Sequence, residues 1–451
     1  MLNKVLVANR GAVAARVLRA LKEMGIRSVA VYSEADAGAP YLEMAGESYA
    51  IGPAPARESY LNMDALLDVV RKSRADGLHP GYGFLSENAV FAQKVTDAGA
   101  RFIGPSPRWI EAMGHKTRAR ELAASHGMPM SQGSGVLPMD QDSILSAARA
   151  IGFPVLVKPA GGGGGIGMLP AKDESELIAA VERSRSMAER GFGNAEVYLE
   201  RLIGRPRHVE FQVLGDRHGS VRHLFERDCS TQRRNQKVVE EAPAPGLARA
   251  KAAAVAEQIA GITQKIGYDN IGTVEMLMGD DGTFSFLEMN TRLQVEHGVT
   301  EEVTGIDLVR AQINSAAGEK LSGILPGRIE VNGHAIQARV YAEDPRTFYP
   351  SPGKLKVFRP PLDAAVRVET GYAEGRDVTP HYDPMIAKVI VHARTREQAI
   401  DKLAAALEAF EIQGLKNNIP AVLAVLHSEP FRAGRVHTGL IAEVMPQRKA
   451  A

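Results

Sequence analysis

Five consecutive glycines, Gly161–Gly165, begin three residues after Lys158, which stands near the end of the β-type run Pro154–Pro159. Glycines in series let backbone N–H groups close over phosphate oxygens, and a lysine at the end of the preceding strand adds a point charge. No Gly-Lys-Ser/Thr opens a helix there, so the loop is not of the Walker A type. A flexible linker has the same composition; the lysine and the flanking strands favour phosphate binding instead. A second pattern starts at residue 288, where every even position is polar: Glu288, Asn290, Arg292, Gln294 and Glu296. If the segment is extended, these groups share one face. Thr273–Met278 and Phe284–Asn290 read as a hairpin around Asp280-Asp281-Gly282, which puts Glu275 opposite the polar face. Glu275, Glu288 and Asn290 offer hard oxygen ligands on facing strands, the chemistry of an Mg²⁺ site in contact with nucleotide phosphates. A solvated face of ion pairs is the alternative reading of such a strand.

The tract Glu226–Pro245 packs Arg227, Arg233, Arg234 and Lys237 among acids, a composition suited to bicarbonate or phosphate or, by itself, to an exposed loop. Cys229 has no basic partner at defined spacing and reads as packing. Taken singly, Lys116 and the loop His79–Asn88 read as a solvated lysine and a turn. No Ser-His-Asp order, Cys₂His₂ spacing or Cys-x-x-Cys is present, which leaves hydrolase and zinc readings without support.

These groups need elements to carry them. The first hundred or so residues alternate short apolar runs (Lys4–Ala8, Ser28–Tyr32, Arg101–Gly104) with helical spacing (Ala14, Val17, Leu18, Leu21; Met63–Val70; Ala89–Ala98), the signature of a parallel sheet covered by helices. Arg10, Arg16 and Arg19 with no acid before Glu23 imitate a transit peptide, but the pattern runs on into a second strand and reads as structure. No Gly-x-Gly-x-x-Gly follows the first strand, so this is not a standard dinucleotide-binding unit. Residues 131–203 read as a small mobile flap: a strand, the glycines, a helix begun by Asp173 with Glu176 at capping-box spacing, and the strand Val197–Leu202. From Arg205 the strands alternate, with His208, Glu210 and Gln212 against Val209, Phe211 and Val213, as in an antiparallel sheet with one wet face.

The chain has 451 residues, enough for about three domains at roughly 150 residues each. Its 54 basic and 53 acidic residues leave a formal charge of +1, which speaks against nucleic acid or a membrane surface as partner. The apolar stretch Ile419–Leu426, broken by Pro420, is far shorter than the ~18 residues of a span. A single cysteine excludes an intrachain disulfide and fits a reducing, cytoplasmic compartment.

Ala8–Gly11 (ANRG), His79–Asn88 (HPGYGFLSEN), the glycine loop, Glu226–Pro245, Glu288–His297 (EMNTRLQVEH), Ala342–Pro345 with Ser351–Lys354, and Tyr382–Lys388 (YDPMIAK) resemble, in order and spacing, the biotin carboxylase family over essentially the whole chain. The resemblance implies an ATP-grasp fold of mixed α/β and α+β class. Its parts would be an N-terminal Rossmann-like domain (1–114), a linker helix (115–130), a glycine-loop lid (131–203), a central domain (204–330) and a C-terminal mixed-sheet domain (331–446). It implies ATP-dependent carboxylation of biotin on a biotin carboxyl carrier protein, with bicarbonate as carbon source and carboxyphosphate as intermediate. By similarity Lys116, Lys158, Gly164, Gly165, Glu200, Arg201, Ile203, His208, Gln232 and Asn235 contact ATP. Glu275, Glu288 and Asn290 would hold two Mg²⁺ or Mn²⁺ ions. Lys237, Arg292, Gln294 and Val295 would bind bicarbonate, Glu296 would be the general base, and Tyr82 and Arg339 would meet biotin. A free-standing subunit is expected, since no Ala-Met-Lys-Met biotin-attachment motif or carboxyltransferase region is seen, together with carboxyltransferase partners and a homodimer formed through Arg16, Arg19, Glu23 and the C-terminal region. Rival readings are another ATP-grasp ligase that makes an acyl-phosphate and an inert nucleotide-binding subunit. The Arg292/Gln294/Glu296 face together with Tyr82 and Arg339 weighs against the first, and the presence of Lys116, Lys158, Glu275, Glu288, Lys237 and Glu296 against the second.

Ile166, Asn235 and Gly298 stand where the family more often has Arg or Lys, His and Pro. They resemble the urea carboxylase branch more than the acetyl-CoA branch, which leaves the final carboxyl acceptor, acyl-CoA or urea-like, open. Ile166 removes a cation from the flap and so weakens closure on ATP. Ile166→Arg is therefore expected to lower the KM for ATP in steady-state assays, and an unchanged KM would show that closure does not use that position.

Overall fold

The computed structural model describes residues 2–161 and 166–446. Gly164 and Gly165 lie outside the described residues. The first five strands, β1 (Lys4–Val7), β2 (Arg27–Tyr32), β3 (Glu47–Ala50), β4 (Gly77–His79) and β5 (Arg101–Phe102), form a parallel sheet in the order β3-β2-β1-β4-β5. Successive side chains of β1 point to opposite faces. Val5 and Val7 pack with Val17, Leu18 and Leu21 of α1 (Gly11–Glu23), whereas Leu6 packs with Leu66 of α2 (Met63–Ser73) and Phe91 of α3 (Ala89–Asp97). Apolar burial on both faces is what a parallel sheet requires, and it explains the unbroken apolar runs. β3 and β4 carry too few apolar residues in series to stand out in the sequence. α4 (Pro107–Gly114) and α5 (Lys116–Ser125) lead to the next unit.

That unit is α6 (Gln141–Ile151), α7 (Glu174–Phe192) and a three-stranded sheet, β7-β6-β8, formed by β6 (Val155–Pro159), β7 (Leu169–Ala171) and β8 (Val197–Arg201). Asp173 caps α7 as expected, accepting from the N–H groups of Ser175 and Glu176, while Glu176 reaches back to the Lys172 N–H.

The remaining strands build one eight-stranded sheet, ordered β13-β12-β9-β10-β11-β14-β19-β17. Its members are β9 (Arg207–Gly215), β10 (Val221–Arg233), β11 (Gln236–Ala242), β12 (Asn270–Met278), β13 (Phe284–Asn290), β14 (His334–Tyr341), β17 (Val366–Glu369) and β19 (Met385–Ala393). Two short ribbons flank it: β15 (Gly353–Lys354) with β18 (Asp377–Val378), and β16 (Val357–Arg359) with β20 (Glu411–Gln413). The C-terminal strands thus continue the central sheet, and where a mixed sheet was expected each described pairing in it is antiparallel.

The expected wet face is not found on β9. Every residue of β9 after Arg207 is buried. One face lies under α8 (Arg249–Ile266), through Ala256, Ile259 and Ile262; α9 (His297–Thr304) packs on the other side. Polar alternation looks the same whether the polar side meets water or a buried partner, and here the partner is Arg227. It is fully buried; Nε lies 2.6 Å from Glu210 Oε1, and its Nη atoms donate to Gln212 Oε1 (2.8 Å), Thr300 Oγ1 (2.9 Å) and Thr273 Oγ1 (3.2 Å). The tract Glu226–Pro245, read as a loop when taken alone, is instead largely strand: β10, a tight turn at Arg234-Asn235 and β11. Arg233 pairs with buried Glu343, so it belongs to the scaffold. Pro420 does not interrupt its segment either, because it lies in the first turn of the helix Ile419–His427, where a proline costs nothing.

Removing one partner of a buried charge pair costs about 3–5 kcal/mol. Arg227→Met should lower unfolding stability by about that amount in thermal or urea denaturation, and a neutral substitution would mean that the Glu210 cluster does not depend on it.

Candidate active site

The antiparallel register sets the site. Glu275 stands opposite Glu288 on β13 and opposite Glu210 on β9, Leu277 opposite His208, and Gln232 opposite Lys237 across the β10–β11 turn. Neighbouring strands lie roughly 4.8 Å apart, so Glu288, Glu275 and Glu210 form a row across β13, β12 and β9 that Arg227 continues on β10, and Lys237 of β11 reaches this row with its side chain. The Lys237 ammonium ends among three carboxylates, 2.6 Å from Glu210, 2.8 Å from Glu275 and 2.6 Å from Glu296. Glu275 Oε1 also accepts from Asn290 Nδ2 at 2.8 Å and from Gln294 Nε2 at 3.3 Å, and its Oε2 lies 2.9 Å from His208 Nε2.

The strand ends at Asn290, contrary to the extended reading of 288–296. Thr291–Val295 is a non-strand connection and Glu296 is the residue before α9. Side-chain bonds nevertheless gather the same groups: Arg292 donates to Asn290 Oδ1 at 3.1 Å and to Gln294 Oε1 at 2.9 Å. Its Nε reaches Glu87 at 2.7 Å, so the loop His79–Asn88 supplies a site residue unforeseen in the sequence. Glu296 is fully buried and receives Arg339 Nη2 at 3.0 Å, while Arg339 Nε donates to Glu240 at 2.5 Å. Glu210 and Glu240 were also unforeseen; Glu210 was visible in the alternation of β9, and Glu240 looked like one more acid in a charged tract.

At the far end of the row, Lys116 opens α5 and lies 3.1 Å from Glu288. Lys158, almost wholly buried, lies 2.7 Å from Glu200, which also pairs with Arg120. The Glu200 side chain therefore holds Lys158. A cavity of about 600 Å³ is lined by Lys116, Lys158, Glu200, Arg201, Ile203, His208, Gln232, Asn235, Lys237, Glu275, Glu288, Asn290, Arg292, Gln294, Val295 and Arg339. A second cavity, of about 340 Å³, is lined by Tyr82 and shares Arg292, Val295, Arg339, Tyr341 and Asp383 with the first. The Tyr82 hydroxyl is buried with no hydrogen-bond partner among the described residues.

Charge is fixed by these contacts. Burial works against ionisation of Glu296, but the Lys237 ammonium and the Arg339 and Arg227 guanidiniums outweigh it and hold the carboxyl below its ordinary range. Glu275 is held well below it, with Lys237 and His208 overcoming burial. Lys237 is pushed well above the usual lysine value, because Glu210, Glu275 and Glu296 outweigh its burial. Burial pushes the Cys229 thiol up, in keeping with its reading as packing. Asn290 turns its amide NH₂ to Glu275 and its Oδ1 to Arg292, while the charges now facing Glu275 and Glu288, Lys237 and Lys116, occupy a place that suits a cation. The donor set fits Mg²⁺.

Models of the biotin carboxylase N-terminal domain, the carbamoyl-phosphate synthase L chain ATP-binding domain and the biotin carboxylase C-terminal domain match residues 1–110, 115–324 and 337–443. Over 441 residues the chain is 47% identical to the biotin carboxylase of Halalkalibacterium halodurans, covering 98% of this chain and 97% of that one. The chain belongs to the biotin carboxylase family. Among solved structures it is similar to the biotin carboxylase domain dimer of Hydrogenobacter thermophilus 2-oxoglutarate carboxylase in complex with MgADP, ADP and bicarbonate (42% identity, TM-score 0.94, all of both chains). It is likewise similar to the biotin carboxylase–β,γ-ATP complex of Campylobacter jejuni (40% identity, TM-score 0.95, 98% of this chain and 99% of that one). The ATP-grasp biotin carboxylase fold expected from the motifs is thus the fold observed.

Two departures from the common biotin carboxylase pattern have local causes. Arg234 and Asn235 both take left-handed backbone, φ 50° and 63°, in the two-residue turn between β10 and β11, and Asn accepts that conformation more readily than most residues. At Gly298 an added Cβ would stand 2.5 Å from Ile390 Cδ1, so Ile390 fills the room that a proline ring would need.

The sign of the pH dependence follows from the shifted carboxyls. Glu275 and Glu296 bind protons less readily folded than unfolded, so their stabilisation is complete above the unfolded value of about 4.3 and is lost as pH falls through the folded values. Lys237 contributes in the opposite limb, fully below about 10.4 and progressively less above it. Urea midpoints should therefore be flat near neutrality and fall below about pH 4.3, with a shallower acid limb in Glu296→Gln. An identical limb in the variant would contradict the assignment.

Proposed function

We propose that the chain carboxylates biotin on a carrier protein, using ATP and bicarbonate, as the first half-reaction of an acyl-CoA or urea-type carboxylase. The observation that carries this reading is the common wall of the two cavities. A charged cleft sized for a nucleotide and an anion meets, at Arg292, Val295 and Arg339, a more apolar one containing Tyr82.

Lys116 and Lys158 bind the ATP phosphates, together with backbone groups of the glycine loop, and Glu200, Arg201, Ile203, His208, Gln232 and Asn235 line the rest of the nucleotide site. Glu275, Glu288 and Asn290 would hold Mg²⁺, which would supply positive charge to neutralise the phosphates. Bicarbonate lies against Lys237, Arg292, Gln294 and the Val295 backbone. As found, all three ammonium protons of Lys237 face carboxylates. An arriving anion draws the ammonium from Glu296, and the carboxylate regains affinity for a proton. Glu296 then takes the bicarbonate proton as the oxygen attacks phosphorus and ADP leaves. The resulting carboxyphosphate breaks to CO₂ and phosphate inside the closed cleft, where water is excluded. Phosphate removes the proton from the biotin ureido nitrogen, Arg339 stabilises the negative charge on the ureido oxygen, Tyr82 packs against the ring, and the nitrogen takes up CO₂.

A carboxyltransferase then chooses the acceptor, so an acetyl-CoA route to fatty acids is one placement of this chain and a urea-like acceptor another. A homodimer through the α1 face of Arg16, Arg19 and Glu23 is proposed on the support of the dimeric Hydrogenobacter thermophilus domain. The five-part division at 114, 130, 203 and 330 is retained as a working description. No described helix is long and apolar enough to cross a membrane.

The purified protein should cleave ATP only with bicarbonate present and faster when free biotin is added. Glu296→Gln should slow this by about 10²–10⁴. Release of phosphate without bicarbonate, or full turnover in the variant, would overturn the reading.

A further inference from the structure

The reaction as assigned leaves the buried lysine of β19 unused. Lys388, the last residue of the run Tyr382–Lys388, is wholly buried on β19, opposite Arg339 on β14 and Glu369 on β17. A buried ammonium needs a counter-charge, and Glu369 Oε2 provides it at 2.6 Å. The second bond is the informative one. Lys388 Nζ donates to the backbone carbonyl of Val295 at 2.8 Å, crossing from the sheet to the connection that presents Gln294, Val295 and Glu296.

That connection lies outside any strand ladder, so its shape depends on such bonds. The preceding carbonyl, of Gln294, is held in the same way by buried His297, whose Nδ1 lies 2.7 Å away. Two successive carbonyls are thus tied by side chains, on the stretch where the bicarbonate groups and the base sit side by side. Lys388 Nζ also lies 6.0 Å from the centre of the Tyr82 ring, which lines the second cavity. Glu369 keeps other cations without it: Arg367, and Arg16 Nε at 3.6 Å. A variant that loses Lys388 therefore leaves the acid compensated.

We propose that Lys388, held by Glu369, is a positioning residue of the carboxylation centre, fixing the Val295 carbonyl so that Gln294, Val295 and Glu296 face bicarbonate. This rests on the bicarbonate site assigned above. The test is steady-state ATP cleavage by the full chain, wild type and Lys388→Met, with bicarbonate and MgATP varied in turn and melting temperatures recorded alongside. The expected result is a tenfold or larger rise in the KM for bicarbonate, with the KM for MgATP within twofold of wild type. A purely structural role would instead lower kcat and leave both KM values in place. If Lys388→Met fails to fold, Glu369→Gln keeps the lysine but releases it, and the same selective rise is expected at smaller size. A folded variant whose bicarbonate KM stays within twofold, or whose two KM values rise together, overturns the proposal. A wild type without bicarbonate-dependent turnover would remove the carboxylase reading and this proposal with it; a wild type that turns over beside an indistinguishable variant removes only the positioning role.

Discussion

The ammonium of Lys237, enclosed by Glu210, Glu275 and Glu296, is the contact on which the arrangement of the site depends. Three buried carboxylates at this spacing repel one another, and each would resist ionisation without a cation between them. The lysine has three protons and spends one on each. For that to happen, β12, β9, β10 and β11 must be adjacent and in register, because a one-residue slip would turn every side chain of a strand to the other face. Arg227 completes the arrangement from below by taking the second oxygen of Glu210. The polar row is thus a consequence of strand order, and the strand order is kept in place by the apolar faces packed under α8.

Much of this was legible in the residues. The pairing of Glu275 with Glu288 followed from alternation on two short strands around Asp280-Asp281-Gly282, where period and turn chemistry agree. The doubly covered N-terminal sheet followed from unbroken apolar runs between helical patterns. Three features did not follow. The burial of the polar face of β9 was hidden because an alternating strand is silent on what covers it, and Arg227 is remote in sequence from Gln212 and Thr300. The end of the strand at Asn290 was hidden because the even-numbered polar residues run on past it. Glu87 and Glu240 were hidden because they reach the site through Arg292 and Arg339, contacts that only the folded chain defines.

The unusual residues separate into those with a local account and one without. Asn235 suits a left-handed turn, and Gly298 makes room for Ile390. Ile166 is half exposed beside α7, and nothing in its surroundings explains the loss of a cation there.

The shared wall of Arg292, Val295 and Arg339 carries an implication for yield. A gas liberated on one side of that wall is born beside its trap. No tunnel is needed to deliver it, and no long journey gives it time to leak. Productive coupling then becomes a contest between capture and escape at a single doorway, decided by how fully the vitamin ring plugs that opening when the gas is made.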